Sequence, residues 1–258
     1  MRRIAITLII SCFLLQAKAN GPLLEGNLTD NLTISSKVLP YKLQYRVYTP
    51  PGYESLADLP VIYLTDGQWY IGGGDMPNQI DALIKAGKIE PIVAVFVDNR
   101  DPDNLADNRR NRQFLGNDKY VEFYKEELVP HIESQYKVSR EQQDRAIMGL
   151  SFGGLNATYF GAKASDTFHM LGIQSPALHP VKRIYSLYQN QEKLPLKIFL
   201  STGARNDTEV HARRLKKVLE AKGYDFKYLE VNAGHDWSNW KPLIDDFLIY
   251  FFGAAVTN

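Results

Sequence analysis

The chain has 258 residues, of which 45% are hydrophobic and 23% charged, and its formal net charge is +1 at pH 7. This length and apolar content suit one domain with a large core, and the nearly balanced charge argues against nucleic acid as a partner. No apolar stretch reaches the roughly 20 residues of a membrane-spanning helix, so we expect no transmembrane segment. We expect the protein to be either a monomer or a small homo-oligomer.

The first residues predict a secretory signal peptide. Two arginines precede the apolar run 4–15, and the small residues Ala17 and Ala19 follow it, a pattern typical of cleavage after Ala19. Cleavage would leave a single domain over 20–258 and change the formal charge from +1 to −2. We therefore expect an exported protein, either periplasmic or secreted.

Cys12 is the only cysteine, and it lies within the predicted signal peptide. The chain after cleavage could then form no disulfide, so its stability must come from the packed core. An alternative interpretation takes residues 9–12 as a lipoprotein processing site, with a lipid anchor on Cys12. The short apolar segment before the cysteine favours the signal peptide.

Short apolar runs alternate with longer amphipathic segments along the rest of the chain. This pattern predicts an α/β fold in which helices cover both faces of a mostly parallel central sheet, with little or no lid domain. The predicted strands are 42–48, 60–64, 92–97, 145–148, 169–174, 197–201 and 227–231.

Two segments predict long helices, and one predicts a loop. Residues 119–136 carry apolar side chains at helical spacing, and Pro130 is expected to bend that helix. Residues 208–222 have one apolar side, and their charged residues predict a solvated face. The polar stretch 98–117 predicts a long loop, which in a compact domain often carries function.

The strongest local signal is the Gly-x-Ser-x-Gly pattern over residues 149–153, between a predicted strand and a segment that can continue as a helix. This arrangement predicts a nucleophile elbow at Ser151, because a sharp turn around a strained serine leaves no room for larger side chains nearby. The same turn points the Phe152 N–H and a helix N-terminus toward a developing oxyanion. An ordinary glycine-rich turn is the alternative.

A serine hydroxyl needs a histidine base, and in this fold the base follows the serine in the chain. Of the five histidines, His235 stands in the expected place, between the last predicted strand and a helix. We interpret His131, His169 and His211 as structural or surface residues, and His179 as too early in the chain. The alternative for His235 is a loop residue that caps the last helix.

The third catalytic residue must orient the imidazole and stabilise its cation. Asp207 fits best, because it follows the predicted strand 197–201. Glu209 is the reserve acid, and Asp236 is too close to His235 in sequence to turn back. The alternative is that Asp207 or Thr208 only caps the next helix.

A second oxyanion donor is expected from the loop after the predicted strand 60–64. The Gln68 N–H is our candidate, because Gly67 allows the backbone to approach closely. A plain tight turn is the alternative.

Five segments, taken together and in this order, resemble one family; they are 48–53, 64–69, 120–132, 149–154 and 234–240. The chain resembles the esterase branch of the α/β-hydrolases, which includes enterochelin (siderophore) esterases, feruloyl esterases and S-formylglutathione hydrolases. The resemblance spans most of the chain after residue 19, and it implies the α/β-hydrolase fold and ester hydrolysis.

By that resemblance Ser151, Asp207 and His235 correspond to the triad of the family, although some siderophore esterases rely on a serine and a histidine alone. Segment 66–69 resembles enterochelin esterases, whereas segment 235–242 resembles feruloyl esterases.

One departure concerns the loop before the predicted helix 119–136. Enterochelin esterases commonly carry an arginine and a nearby glutamate there, and here Gln113 follows Arg112. The resemblance therefore leaves the ester substrate open.

The chemistry expected from these residues is acyl transfer through a covalent intermediate on Ser151, which needs no metal or organic cofactor. Arginines 100, 109, 110 and 112 could surround the site, and aromatic side chains could form its walls. The substrate-contacting candidates are Trp69, Tyr70, Arg109, Arg112, Trp237 and Trp240.

Such a site would suit an anionic, aromatic ester, and a ferric catecholate siderophore has both properties. A feruloyl or acetyl ester of a carbohydrate is the next candidate. An acyltransferase would use the same residues, and a non-catalytic binding module could share the fold.

Overall fold

The computed structural model describes residues 24–254. The strands are β1 Asn27–Leu28, β2 Leu32–Ser35, β3 Lys42–Thr49, β4 Val61–Thr65, β5 Val93–Asp98, β6 Arg100–Asp101, β7 Asn104–Asn108, β8 Arg145–Leu150, β9 Met170–Gln174, β10 Lys197–Gly203 and β11 Phe226–Val231. The α-helices are α1 Gly67–Gly72, α2 Met76–Lys85, α3 Arg110–Phe114, α4 Asp118–Phe123, α5 Val129–Gln135, α6 Phe152–Lys163, α7 Ile184–Gln189, α8 Glu209–Ala221, α9 Trp237–Trp240 and α10 Ile244–Phe252.

The central sheet has the order β1-β3-β5-β4-β8-β9-β10-β11, with β2 also paired to β3. Within this sheet β5, β4, β8, β9, β10 and β11 run parallel, whereas β1, β2 and β3 form an antiparallel edge. The carboxyl ends of β4, β5, β8, β9, β10 and β11 therefore meet at one edge, which is where open α/β sheets place their ligands. The predicted α/β fold with a mostly parallel sheet is confirmed.

Two apolar layers cover the faces of the sheet. Tyr63 of β4 and Phe160 of α6 belong to one layer, and Ile62 of β4 and Phe247 of α10 belong to the other. Successive residues of a strand point to opposite faces, so a strand covered on both sides must be apolar throughout, as β4 is. This is why the predicted strands 60–64 and 92–97 are continuous apolar runs.

The predicted helix 119–136 forms as three consecutive helical pieces. Between α4 and α5 lies a π-helical turn, Tyr124–Leu128, in which the Val129 N–H bonds to the Tyr124 carbonyl. Pro130 follows in the first turn of α5. Because proline has no N–H to offer the carbonyl four residues earlier, the helix changes its hydrogen-bond pattern just before it.

The stretch 98–117 is not the long loop that its polarity predicts. It contains the β6–β7 hairpin and the short helix α3. Local ion pairs hold this structure, since Arg100 Nη2 lies 2.6 Å from Asp98 Oδ2 and Arg109 pairs with Asp101. Charged side chains that pair with each other can stabilise a compact segment with few apolar residues.

The predicted signal peptide and Cys12 lie outside the described residues. Within residues 24–254, no helix combines the length and the apolarity needed to span a bilayer.

Candidate active site

A strained turn joins β8 to α6 at the carboxyl edge of the sheet. Ser151 connects them with φ 57° and ψ −118°, a region that residues other than glycine rarely adopt. A Cβ on Gly149 would collide with Thr65 Oγ1 and the Gly153 backbone, and a Cβ on Gly153 would lie 2.7 Å from Thr65 Oγ1. The glycines are therefore required by β4, which packs beside this turn.

Ser151 and two residues from the loops after later strands form a hydrogen-bonded series. His235, in the loop after β11, has its Nε2 at 2.9 Å from Ser151 Oγ. Its Nδ1 is in hydrogen-bond contact with Asp207 Oδ1. A proton on Nδ1 is thereby directed to the carboxylate, which leaves Nε2 to accept the serine proton.

Asp207 follows β10, and its side chain is fully buried. Its other oxygen, Oδ2, accepts hydrogen bonds from Ser175 Oγ at 2.6 Å, from Asn239 Nδ2 at 2.9 Å and from the Gly203 N–H. Burial alone would raise the pKa of Asp207, but the hydrogen bonds from His235, Ser175 and Gly203 outweigh it and lower the pKa below 3.8. The buried carboxyl therefore remains ionised.

The two other candidate acids have different contacts. Glu209 Oε2 accepts the backbone N–H of Asp207 at 3.1 Å. Asp236 accepts the Ser238 N–H at 2.8 Å and so caps α9. Of these three carboxylates, the structure brings Asp207 to the imidazole.

Ser175 and Asn239 are the site residues that the sequence interpretation missed. Ser175 Oγ also accepts a hydrogen bond from Trp240 Nε1 at 2.9 Å. Asn239 Nδ2 lies 2.9 Å from Asp207 Oδ2 and 2.9 Å from the Gly234 carbonyl, so it connects the acid with the histidine loop. The position of Ser175, directly after β9 at the same edge as Ser151, is the signal that could have identified it.

A pocket of about 340 Å³ opens above Ser151. Its lining residues are Trp69, Arg110, Leu150, Ser151, His235, Trp237 and Trp240. All three tryptophans of the chain thus line this pocket. The Trp237 and Trp240 rings meet edge to face with centroids 5.5 Å apart, which fixes flat apolar walls.

The "Esterase" family model, described as "Putative esterase", matches residues 36–251. The chain belongs to this esterase family. The match begins after β1 and β2 and covers β3, all the parallel strands of the central sheet and every residue that lines the pocket above Ser151.

Several curated relatives carry esterase names, and two of them are compared with the chain as follows. The chain is 26% identical to an acetyl esterase of Caldicellulosiruptor saccharolyticus over 72% of its own length and 81% of the relative. It is 24% identical to the iron(III) enterobactin esterase of Dickeya dadantii (strain 3937) over 78% of its own length and 50% of that protein. The chain thus spans about half of the length of the Dickeya protein.

Solved structures agree with the fold. A ferulic acid esterase matches with a TM-score of 0.76 and 20% identity, covering 89% of this chain and 98% of the other. The enterobactin esterase from Shigella flexneri, solved in the presence of enterobactin, matches with a TM-score of 0.77 and 21% identity, covering 89% of this chain and 59% of the other. The esterase therefore has the α/β-hydrolase fold that the sequence predicts.

Tyr70 does not contact the pocket of the esterase, contrary to the sequence prediction. Its side chain is fully buried, and its hydroxyl donates to Gln174 Oε1 at 2.8 Å. Its ring meets Trp237 edge to face at 6.0 Å. Tyr70 therefore supports a pocket wall from behind, because its side chain points into the core while that of its neighbour Trp69 points out.

The predicted substrate contacts of Arg109 and Arg112 are also corrected. The buried Arg109 pairs with Asp101 and Asp107 and lies 4.5 Å from the Tyr41 ring centroid. The exposed Arg112 pairs with Asp107 at 3.0 Å and lies over the same ring. These partners hold both guanidinium groups in the 98–117 segment and away from the pocket.

Arg110 is the arginine that reaches the pocket. Its Nε donates to Asp66 Oδ1 at 2.8 Å and Oδ2 at 2.9 Å, and its Nη2 donates to the Leu150 carbonyl at 3.1 Å. Its guanidinium also lies 5.1 Å from the Trp69 ring centroid and 5.3 Å from that of Phe152. Arg110 thus connects the loop after β4 with the turn that carries Ser151.

Asp66, the partner of Arg110, is buried at the start of that loop. Burial raises its pKa from 3.8 to about 6, although the Arg110 charge lowers it in part. Because the folded-state value lies above the unfolded one, the stabilising contribution of Asp66 is largest at low pH and is lost as pH rises through about 6. Part of the stability of the esterase should therefore depend on pH in this range.

We expect Asp66→Asn to remove this dependence. The free energy of unfolding of the wild type minus that of the variant should fall by about 2 to 3 kcal/mol between roughly pH 4 and pH 7. Urea unfolding across this range measures the difference, with the exposed Asp225→Asn as the matched control. A difference that increases with pH would contradict the raised pKa.

Proposed function

We propose that this esterase is a serine hydrolase that cleaves carboxylic esters through an acyl-enzyme intermediate. The observation that carries the proposal is the hydrogen-bonded series of Ser151 Oγ, His235 and Asp207, with 2.9 Å between the serine oxygen and the histidine Nε2. A serine held at a positive φ between a strand and a helix, with a base and a buried acid behind it, is the arrangement that activates a hydroxyl.

In the first half of the reaction, His235 takes the proton of Ser151 as the serine oxygen attacks the ester carbonyl carbon. Asp207 stabilises the imidazolium. Gln68 and Phe152 lie in the first turns of α1 and α6, where backbone N–H groups have no intrahelical acceptor, and in our proposal these two donors bind the oxyanion. The tetrahedral intermediate then expels the alcohol, which takes the proton from His235.

In the second half, His235 removes a proton from a water molecule, which attacks the acyl carbon. The ester bond to Ser151 breaks, the serine recovers its proton from His235, and the carboxylic acid leaves. The same acyl-enzyme would acylate an alcohol if one replaced water.

An aromatic acyl group suits the pocket best. Trp69, Trp237 and Trp240 provide flat walls, and the Arg110 guanidinium lies beside the Trp69 ring. Because the buried Asp66 already pairs with Arg110, the pocket carries little net positive charge. This favours an aromatic ester of low charge, such as a feruloyl ester, which agrees with the structural similarity to a ferulic acid esterase.

A ferric catecholate siderophore is the second candidate. The Arg110 guanidinium in the pocket favours it, and so does the relationship to an iron(III) enterobactin esterase. Its several negative charges would have to compete with Asp66 for that single guanidinium.

A comparison of esters with one purified protein tests both candidates. We expect kcat/KM to be higher for methyl ferulate than for p-nitrophenyl acetate or for a ferric catecholate trilactone. The highest value on the trilactone would instead support the siderophore candidate. Transfer of the feruloyl group to an added alcohol in preference to water would identify an acyltransferase, and no turnover of any ester would indicate a binding module.

We further propose that the esterase is exported, on the basis of the sequence pattern of residues 1–19. N-terminal sequencing of the protein from a secreting host tests this, and we expect the mature chain to begin at Asn20. Lipid on Cys12 would support the lipoprotein alternative, and an intact Met1 would contradict both.

A further inference from the structure

The hydroxyl of Ser175 connects separate parts of the proposed active site. Ser175 directly follows β9 and is fully buried. Its Oγ donates to Asp207 Oδ2 at 2.6 Å, and it accepts from Trp240 Nε1 at 2.9 Å and from Asn239 Nδ2 at 3.2 Å. A hydroxyl has one donor and two acceptor sites, so this one is fully used. It joins the carboxylate behind His235 to a wall of the pocket.

The backbone of Ser175 is held in an unusual conformation. Its φ is 41°, a left-handed value that residues other than glycine rarely adopt and that persists only where the surrounding structure imposes it. The Ser175 N–H donates to the Ser201 carbonyl of β10 at 2.8 Å. On the other side, the Ser151 N–H donates to the Gln174 carbonyl at 2.9 Å, and the Ala177 N–H donates to the Ser151 carbonyl at 3.0 Å. The Ser175 hydroxyl therefore has a fixed position relative to the serine turn.

The same strand end also holds Trp240. The indole N–H bonds to Ser175, and Gln174 Nε2 donates to the Trp240 carbonyl at 3.1 Å. The Trp240 ring lines the pocket and meets the His235 ring edge to face, with centroids 4.9 Å apart. The wall that an acyl group would contact is thus bonded to the residue that holds the acid.

Hydrogen bonds to Oδ2 determine which way the carboxylate of Asp207 faces. The last torsion angle of an aspartate side chain has broad, twofold preferences, so the side chain alone does not fix the plane of its carboxylate. Oδ1 contacts His235 Nδ1, while Oδ2 accepts from Ser175. The Gly203 N–H and Asn239 Nδ2 bond to the same oxygen. Among these donors, Ser175 also bonds to the pocket wall.

We propose that Ser175 is a positioning residue, which orients the carboxylate of Asp207 toward His235 and ties it to the Trp240 wall. The inference rests on the proposed function, because the orientation matters only if Asp207 serves the histidine during ester hydrolysis. Ser175 acts through Asp207 and Trp240 and takes no part in bond making. Since small errors in the orientation of catalytic groups cost much of the rate, its hydroxyl should affect kcat more than KM.

Ser175→Ala in two backgrounds tests this role. In the wild type, kcat for methyl ferulate should fall about 10-fold, because a hydrogen bond to a charged group is lost, and KM should stay within about 3-fold. In an Asp207→Ala background no carboxylate is left to orient, so the same substitution should change kcat by less than about 2-fold. A merely structural role for Ser175 would lower kcat by the same factor in both backgrounds.

Trp240→Phe is a second variant, which tests the proposal even if Ser175→Ala does not fold. It keeps an aromatic wall and removes the indole N–H that Ser175 accepts. We expect KM for methyl ferulate to rise by the same factor with and without the Asp207 carboxylate. The fall in kcat, about 3-fold in the wild type, should be absent in the Asp207→Ala background. Equal falls in kcat in both backgrounds would contradict the tie between wall and acid.

Ser201→Ala is the matched control. Ser201 lies in the neighbouring strand β10 and is equally buried, and within residues 24–254 its hydroxyl has no hydrogen-bond partner. The substitution removes the same atom as Ser175→Ala and should leave kcat within about 2-fold. If a folded Ser175→Ala protein loses no more activity than Ser201→Ala, the positioning role is wrong while the esterase proposal stands. If the wild type hydrolyses no ester, the proposed function fails, and this inference fails with it.

Discussion

Ser151→Ala is expected to lower kcat for ester hydrolysis by about 10⁵-fold, with little change in KM. The variant has no oxygen to form the acyl-enzyme, and the oxyanion donors and the pocket alone retain only a small part of the rate enhancement. Because Ser151 and His235 act on the same proton, adding His235→Ala to Ser151→Ala should lower kcat little further. Steady-state kinetics on methyl ferulate measures both effects.

Ser134→Ala is the matched control for this experiment, since Ser134 is exposed and its hydroxyl bonds to the His131 carbonyl. It should retain full activity. A second readout is covalent labelling by a fluorophosphonate, which should add one group to the wild type and none to Ser151→Ala. Retention of more than about 1% of the activity in a folded Ser151→Ala protein would contradict the nucleophile assignment.

Asp207→Asn is expected to lower kcat by about 10⁴-fold, again with KM nearly unchanged. The amide would favour the wrong tautomer of His235 and would carry no charge to stabilise the imidazolium. The substitution should also affect stability. The lowered pKa of Asp207 means that its ionised form stabilises the fold above about pH 3.8, and that this stabilisation is lost as pH falls through the folded-state value.

Two measurements on Asp207→Asn test these expectations. The difference in unfolding free energy between wild type and variant should shrink as pH is lowered below about 4. Glu209→Gln is the control for activity and should remain within about 3-fold of the wild type, because Glu209 contacts the Asp207 backbone and not the imidazole. If Asp207→Asn keeps most of its activity, the esterase works with serine and histidine alone.

The strands and the serine turn could be predicted because they depend on local physics. An apolar run long enough for one strand reflects burial on both faces, as in β4 and β5. The strained serine between Gly149 and Gly153 leaves a recognisable pattern within five residues, although the contact that excludes a Cβ at both glycines comes largely from Thr65 of β4. The position of His235 followed from chain order, and its catalytic role remains a prediction that the substitutions above will test.

The arginines show where the sequence interpretation could not decide. Arg109, Arg110 and Arg112 lie within four positions of each other and look alike in sequence. Arg109 precedes α3, whereas Arg110 and Arg112 lie two positions apart within it and so point about 200° away from each other. The carboxylate of Asp66, directly after β4, pairs with Arg110 and so holds it at the pocket, although the two residues are 44 positions apart in sequence.

The sequence by itself determined the fold class, the turn at Ser151 and the chain order of serine, acid and histidine. Only the tertiary structure decided which side chains surround them. Trp240 Nε1 reaches Ser175 across 65 positions, and Asn239 reaches Asp207 across 32. Sterics and hydrophobic periodicity act over a few residues and leave a pattern in the sequence. Hydrogen bonds between strand ends exist only after parallel strands have brought those ends to one edge.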